Sequence, residues 1–75
     1  MKFPIYRKYK GIDVWFKILS LTEFVEYKKM GQKILTHHVK ATIFPEQQFI
    51  RDMIECYENR WVKTTQKELD IFLND

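Results

Sequence analysis

The sequence predicts an α+β domain, an antiparallel β-meander of three to four strands followed by two helices packed on one face. Apolar residues recur at every second position up to about residue 43, as in strands with one buried side. They then recur at helical spacing. Strands first and helices afterwards is the order typical of α+β domains. With 75 residues, two Gly and two Pro, the chain fits one domain, residues 1–75, without a long linker.

The first predicted element is a β-hairpin. Within residues 12–19 the side chains alternate, with Phe16 and Ile18 on the inner side and Trp15 and Lys17 on the outer side. The preceding stretch KGID supplies the turn, because its glycine readily takes positive φ. The residues before this turn form the first strand of the hairpin.

Residues 20–31, SLTEFVEYKKMG, permit two interpretations. Ser20 with Glu23 fits a helix capping box, and Gly31 fits the position just after a helix. Its strand-forming residues and the tight turn MGQK instead favour a strand at about residues 23–30. We favour the strand, because the alternating run ILTHHVKATIF that follows needs a neighbour.

A change of period marks the first helix. Pro45 suits the first helical position, where its missing N–H costs nothing, and Glu46 favours a helix N-terminus. An apolar stripe then follows at helical spacing: Phe49, Ile50, Met53, Ile54 and Tyr57. The sequence therefore predicts a helix that lays this stripe on the sheet.

A second, shorter helix is predicted near the end of the sequence. Thr65 and Glu68 form a capping box, and Leu69 and Phe72 lie on one face of the turns that follow. Between the helices, the pair Trp61-Val62 suggests a short extended segment.

Several stretches resemble a family of short uncharacterised proteins from Bacteroides-type bacteria, a domain of unknown function. They are PIYRKY, FKI at 16–18, EF with Gly31, KATIFPE and FIRDMI, and they span nearly the full sequence. No activity is attached to that family, so the resemblance implies a small bacterial domain and no catalytic or binding residue.

Cysteine usage and hydropathy bear on the compartment. Cys56 is the only cysteine, so no internal disulfide can form. No apolar run approaches the length of a membrane span, and early cations interrupt any signal-peptide core. These features predict a cytoplasmic protein without a membrane partner.

No residue pattern points to catalysis. His37 and His38 are adjacent on a strand and face opposite sides, so they cannot converge on one metal. No motif places a base beside Cys56, and the two glycines cannot form a phosphate-binding loop. The sequence therefore predicts a protein that is not an enzyme, with no catalytic residue, metal or cofactor.

The charge distribution suggests a binding role. Residues 1–44 carry nine Lys or Arg against three acids, whereas residues 45–75 carry four against seven. The sheet face away from the helices is predicted to bind a partner through Tyr6, Lys8, Lys10, Trp15, Lys17, Lys28, His38 and Lys40. An outward apolar patch at Trp15, Leu19 and Ile34 adds to it. We expect a macromolecular-binding domain whose partner is an unidentified protein or a second copy. The alternative is nucleic-acid binding through the basic, aromatic-bearing face.

Overall fold

A computed structural model describes residues 1–74 and contains five strands and two α-helices. The elements are β1 (Ile5–Tyr9), β2 (Val14–Ser20), β3 (Glu23–Met30), β4 (Lys33–Lys40), α1 (Phe44–Glu55), a short 3-10 helix (Tyr57–Asn59), β5 (Trp61–Thr64) and α2 (Gln66–Asn74). The predicted α+β class is confirmed, with five strands where three to four were expected. The strand interpretation of residues 23–30 is confirmed as well.

The five strands form one antiparallel sheet in the order β4-β3-β2-β1-β5. Strands β1 to β4 are a meander, and Gly11 and Gly31 take the positive φ that their turns require. The chain then crosses the sheet through α1, and β5 pairs with β1 at the far edge. The two edge strands are therefore β4 and β5.

One face of the sheet, here called the α1 face, carries the larger core. Val14, Phe16 and Ile18 of β2 are buried on it, and Ile50 and Met53 of α1 pack against them. Aromatic contacts extend this core: Tyr9 stacks on Trp61 at 5.5 Å, and Phe49 meets Trp61 edge-on at 5.6 Å. The predicted helical stripe is confirmed for Phe49, Ile50, Met53 and Ile54, which pack in this core. It is wrong for Tyr57, which lies beyond α1 and is 47% exposed.

The opposite face, here called the α2 face, carries a second and smaller core. Leu69 and Phe72 of α2 are buried against Trp15, and Tyr6 and Tyr27 pack around them. The expectation that both helices pack on one face is therefore wrong in this detail. Val14, Trp15 and Phe16 are three consecutive buried residues, so the central strand β2 needs cover on both sides.

A buried arginine joins β1 to the C-terminal end of α1. Arg7 is only 8% exposed on the α1 face, and no carboxylate pairs with it within residues 1–74. Its guanidinium donates to the carbonyls of Met53 at 2.9 Å and Ile54 at 2.8 Å, and also to the carbonyl of Tyr6 at 2.8 Å. The last carbonyls of a helix lack internal partners and carry partial negative charge. Arg7 therefore supplies both the donors and the positive charge that this helix end needs.

The link from α1 to β5 turns sharply through left-handed backbone. Cys56 ends α1 at φ 53°, and Glu58 and Asn59 both have φ 57°. Trp61 and Val62 then begin β5, which confirms the predicted extended segment. At the start of α2 the amide of Glu68 donates to Thr65 Oγ1 at 3.2 Å, which is the first half of the predicted capping box. The Glu68 side chain accepts from the Thr65 hydroxyl at 3.3 Å, in place of the backbone N–H that the full box uses.

Candidate partner-binding site

The eight residues predicted to bind a partner do not all lie on one side of the sheet. Register places six of them in adjoining rows on the α2 face: Tyr6, Lys8, Trp15, Lys17, His38 and Lys40. Lys10 follows β1 and is exposed. Lys28 pairs with Val14 and so belongs to the α1 face. The prediction is therefore wrong for Lys28, because alternation along β3 turns its side chain to the opposite face of the sheet.

Helix α2 covers the apolar part of the predicted surface. Trp15 is 8% exposed and stacks on Phe72, with ring centroids 4.9 Å apart. Lys8 Nζ lies 5.0 Å from the centroid of the Trp15 ring. Ile34 also packs against this cluster, so α2 covers two members of the patch predicted from Trp15, Leu19 and Ile34. Helix α2 thus packs on the apolar residues that were expected to contact a partner.

Tyr6 is also engaged with α2. Its hydroxyl donates to Oε1 of Gln66 at the start of the helix. Burial is the main cause that raises the pKa of Tyr6, with smaller contributions from Asp70 and Tyr27. Tyr6 therefore takes part in the fold of the α2 face, where an exposed stacking ring was expected.

The two adjacent histidines lie on opposite faces, as alternation predicts. His38 is on the α2 face, where its Nε2 contacts a carboxylate oxygen of Glu23. His37 is on the α1 face and pairs in register with Glu26. No three His, Cys, Asp or Glu side chains within residues 1–74 come together in a way that could hold a metal ion.

Strand β4 is the least covered element of the sheet. It is eight residues long, and only Ile34 and Val39 are half-buried, while its six other residues are exposed. Within residues 1–74 its only strand neighbour is β3. Leu35 is an apolar residue on this strand that remains 49% exposed. The free surface is therefore the β4 edge, and it differs from the sheet face that the sequence suggested.

Hydrogen-bond alternation shows which backbone groups of β4 are free. The hairpin to β3 closes with the pair Met30 and Lys33, and just beyond β4 the amide of Ala41 donates to Thr22 at 2.7 Å. Alternate residues of an antiparallel strand point their N–H and C=O groups to opposite sides. The odd-numbered residues of β4 therefore bond to β3. The even-numbered residues direct theirs to the open edge: Ile34, Thr36, His38 and Lys40.

An apolar cavity adjoins this edge on the α1 face. It has a volume of about 260 Å³ and lies between the sheet and the first two turns of α1. Its lining residues are Phe24, Val39, Pro45, Glu46 and Phe49. Phe24 and Val39 are paired in register, so they form a row that a further strand on β4 would extend. A residue of such a strand, placed opposite Val39, would lie next to the lining of the cavity.

Two lysines at the ends and two histidines at the centre give the β4 edge its charge. Lys33, His37, His38 and Lys40 are all exposed. Acids stand one strand away, with Glu23 in register with Lys40 and Glu26 in register with His37. Lysine at the ends of an edge strand discourages unselective pairing while leaving the centre open.

The sequence carries one signal for this edge that face-by-face analysis overlooks. Thr36, His37 and His38 place polar residues on both sides of β4 at its centre. A central strand buries at least one side, whereas an edge strand does not need to. This polar centre marks β4 as an edge, and it contrasts with the apolar run of β2.

None of the described helices is long and apolar enough to cross a membrane. No protein-family model, no curated protein and no solved structure matches the chain. The resemblance to a family of short Bacteroides-type proteins therefore stays a prediction.

Proposed function

We propose that this chain is a small protein-binding domain that accepts an extended partner strand along the β4 edge. The observation that carries the proposal is the uncovered eight-residue edge strand. Four residues present backbone N–H and C=O groups there, and adding a strand to an open sheet edge is a recurring mode of peptide recognition. In this mode, backbone hydrogen bonds supply affinity.

Specificity would come from the cavity beside Val39. Alternate side chains of an added strand point to the α1 face, where the cavity offers an apolar lining. A partner segment with an apolar residue at that position fits, whereas an acidic residue there would lose its hydration against Phe24 and Phe49 and would lie near the carboxylate of Glu46. Pockets for alternate side chains are what select a sequence in strand-addition sites.

The test uses a displayed library of random extended peptides selected on the intact protein. We expect selected peptides to protect the outward amides of Ile34, Thr36, His38 and Lys40 from hydrogen exchange, measured by NMR. The amides of Leu35 and His37, already bonded to β3, should change little. Selected peptides that protect amides elsewhere and leave the β4 edge unchanged would overturn the proposal.

A matched pair of proline variants tests the same point. Thr36→Pro removes an outward N–H and keeps the β3 pairing, since proline is tolerated on edge strands where the N–H faces solvent. Lys63→Pro makes the equivalent change at the β5 edge, because the bond from the amide of Lys10 to the carbonyl of Arg60 sets Lys63 outward. Thr36→Pro should abolish peptide binding and Lys63→Pro should preserve it. Thermal unfolding of both variants checks that the fold is intact.

The alternative of nucleic-acid binding remains a prediction that would rely on lysines, since Trp15 and Tyr6 are packed with α2. Lys17 and Lys40 lie on the α2 face, and Lys40 is exposed. Fluorescence anisotropy with a single-stranded oligonucleotide at low and high salt tests it, because phosphate contacts weaken as salt rises. Absence of binding at low salt would remove this alternative.

A further inference from the structure

We infer that the strand accepted by β4 is β4 of a second copy of this chain, so that two sheets join into one ten-stranded sheet. This inference rests on the proposed function and adds the identity of the partner and the register. The observation behind it is a self-complementary pattern: an exposed Leu35 and an apolar cavity at Val39 lie on the same side of one strand.

Geometry restricts the registers that two such strands can adopt. A two-fold axis perpendicular to the sheet makes the strands antiparallel and keeps each face continuous. Directly opposed residues then share the same hydrogen-bonding class and the same face. Only pairings centred on a single residue satisfy this condition, and the two nearest the middle of β4 are centred on Thr36 and on His37.

The register centred on His37 places an apolar residue of each copy opposite an apolar residue of the other. It sets Leu35 of each copy directly opposite Val39 of the other, at a non-hydrogen-bonded position where side chains approach most closely. Each Leu35 then reaches the mouth of the partner's cavity. The register centred on Thr36 would set Leu35 opposite His37 and leave both cavities empty. We therefore assign the axis to His37.

Charge is compatible with this arrangement. Lys33 lies opposite Ala41 and Lys40 lies opposite Ile34, so no lysine faces a lysine. His37 faces its symmetry mate, and Glu26 stands beside each copy in the same row. The contact is one pair of strands with two leucines, which is small for a permanent dimer. We expect a reversible dimer with a micromolar or weaker dissociation constant.

Disulfide crosslinking tests the register. Non-hydrogen-bonded pairs bring Cα atoms to about 4.5 Å, within the range that a disulfide spans. In a Cys56→Gly background, where the glycine suits the left-handed backbone, His37→Cys should crosslink rapidly on mild oxidation. Thr36→Cys should not, because Thr36 faces His38 of the partner in this register. Rapid crosslinking of Thr36→Cys with none from His37→Cys would overturn the assigned axis.

Sedimentation across a concentration series tests the assembly itself. The wild-type chain should pass from monomer to dimer, and the amides of Thr36 and His38 should become protected from exchange as concentration rises. Leu35→Thr keeps an exposed strand former and removes both apolar contacts by symmetry, so the dissociation constant should rise at least about tenfold. The matched change Ile71→Thr, at an exposed apolar position on α2, should leave it unchanged.

The outcomes separate this inference from the proposed function. A chain that stays monomeric at millimolar concentration and shows no His37→Cys crosslink overturns self-pairing. If that monomer still binds displayed peptides along β4, strand addition stands and the partner is a different protein. If neither occurs, both proposals fall.

Discussion

The two faces of the sheet hold cores of different size. The α1 face buries eight side chains in one cluster and adds an arginine that terminates the helix. The α2 face buries three, and lysines cover its rim: Lys8 lies over Trp15, and Lys29 Nζ lies 5.1 Å from the centroid of the Phe72 ring. With a helix packed on each face, the most exposed strand of the sheet is the edge strand β4.

The largest expected loss of stability comes from truncating Phe16 or Trp15, which are neighbours in β2 and point to opposite faces of the sheet. Phe16 is 1% exposed in the α1 core, and Phe16→Ala should cost about 4 kcal/mol of unfolding free energy; Trp15→Ala, in the smaller α2 core, should cost about 3 kcal/mol. Urea unfolding measures both. The milder changes Phe16→Leu and Trp15→Leu serve if the alanine variants do not fold. A loss below about 1 kcal/mol for Trp15→Ala would show that α2 does not pack there.

The second largest expected loss of stability comes from replacing the buried Arg7, whose side chain lies on the α1 face. Arg7→Met should lower the unfolding free energy by about 3 kcal/mol, because it removes charge-assisted bonds to two helix carbonyls in a buried setting. The carbonyl of Met53 keeps the amide of Cys56 as a donor at 3.2 Å, whereas the carbonyl of Ile54 loses the guanidinium donor. Lys63 is paired with Arg7 in register but is exposed, so Lys63→Met should change stability by less than about 0.5 kcal/mol. Equal effects from the two changes would contradict the role assigned to Arg7.

Raising the pH should cause the smallest loss of stability, and it should act through one tyrosine on each face of the sheet. Burial raises the pKa of Tyr6 on the α2 face and of Tyr9 on the α1 face above 10.0. Near Tyr9, Glu26 raises the pKa further while Arg60 lowers it. The folded state therefore holds these protons after the unfolded state has released them.

The stabilisation from these two phenols is fully present below pH 10, and it is lost as pH rises from 10 through the folded-state pKa values. Urea unfolding at a series of pH values should show this decline. Tyr9→Phe should flatten it, and Tyr6→Phe should flatten it too. A profile that stays steep in the double variant would place its cause elsewhere.

The local elements of this fold follow from local signals. The turn glycines, Pro45 and the Thr65–Glu68 cap each act within a few residues. The glycines and the cap are found where the pattern puts them, and Pro45 lies in the first turn of α1, as its second residue where the first position was predicted. The alternation in residues 34–39 correctly predicts a strand. That strand ends at Lys40, so Ile43 and Phe44, expected to continue it, lie exposed at the start of α1.

What the sequence could not specify are the long-range choices. An amphipathic helix shows which of its own sides is apolar, but it does not show which face of the sheet it meets. With both helices on one face, Trp15 and Tyr6 are expected to face outward, so the sequence assigns them to a partner, whereas both pack with α2. The open edge depends on β5 returning to β1, a pairing of residues far apart in the chain. The location of the candidate site at the β4 edge could therefore not be predicted from local sequence patterns.

The position of β5 also affects the chain before folding is complete. Strands β1 to β4 can associate through short hairpins, whereas β5 joins β1 only after the long segment containing α1 has been ordered, which costs loop-closure entropy. Until then, β1 has a vacant pairing side in a nascent chain. Arg7, Lys8 and Lys10 lie along it, and like charges there oppose association between unfinished molecules.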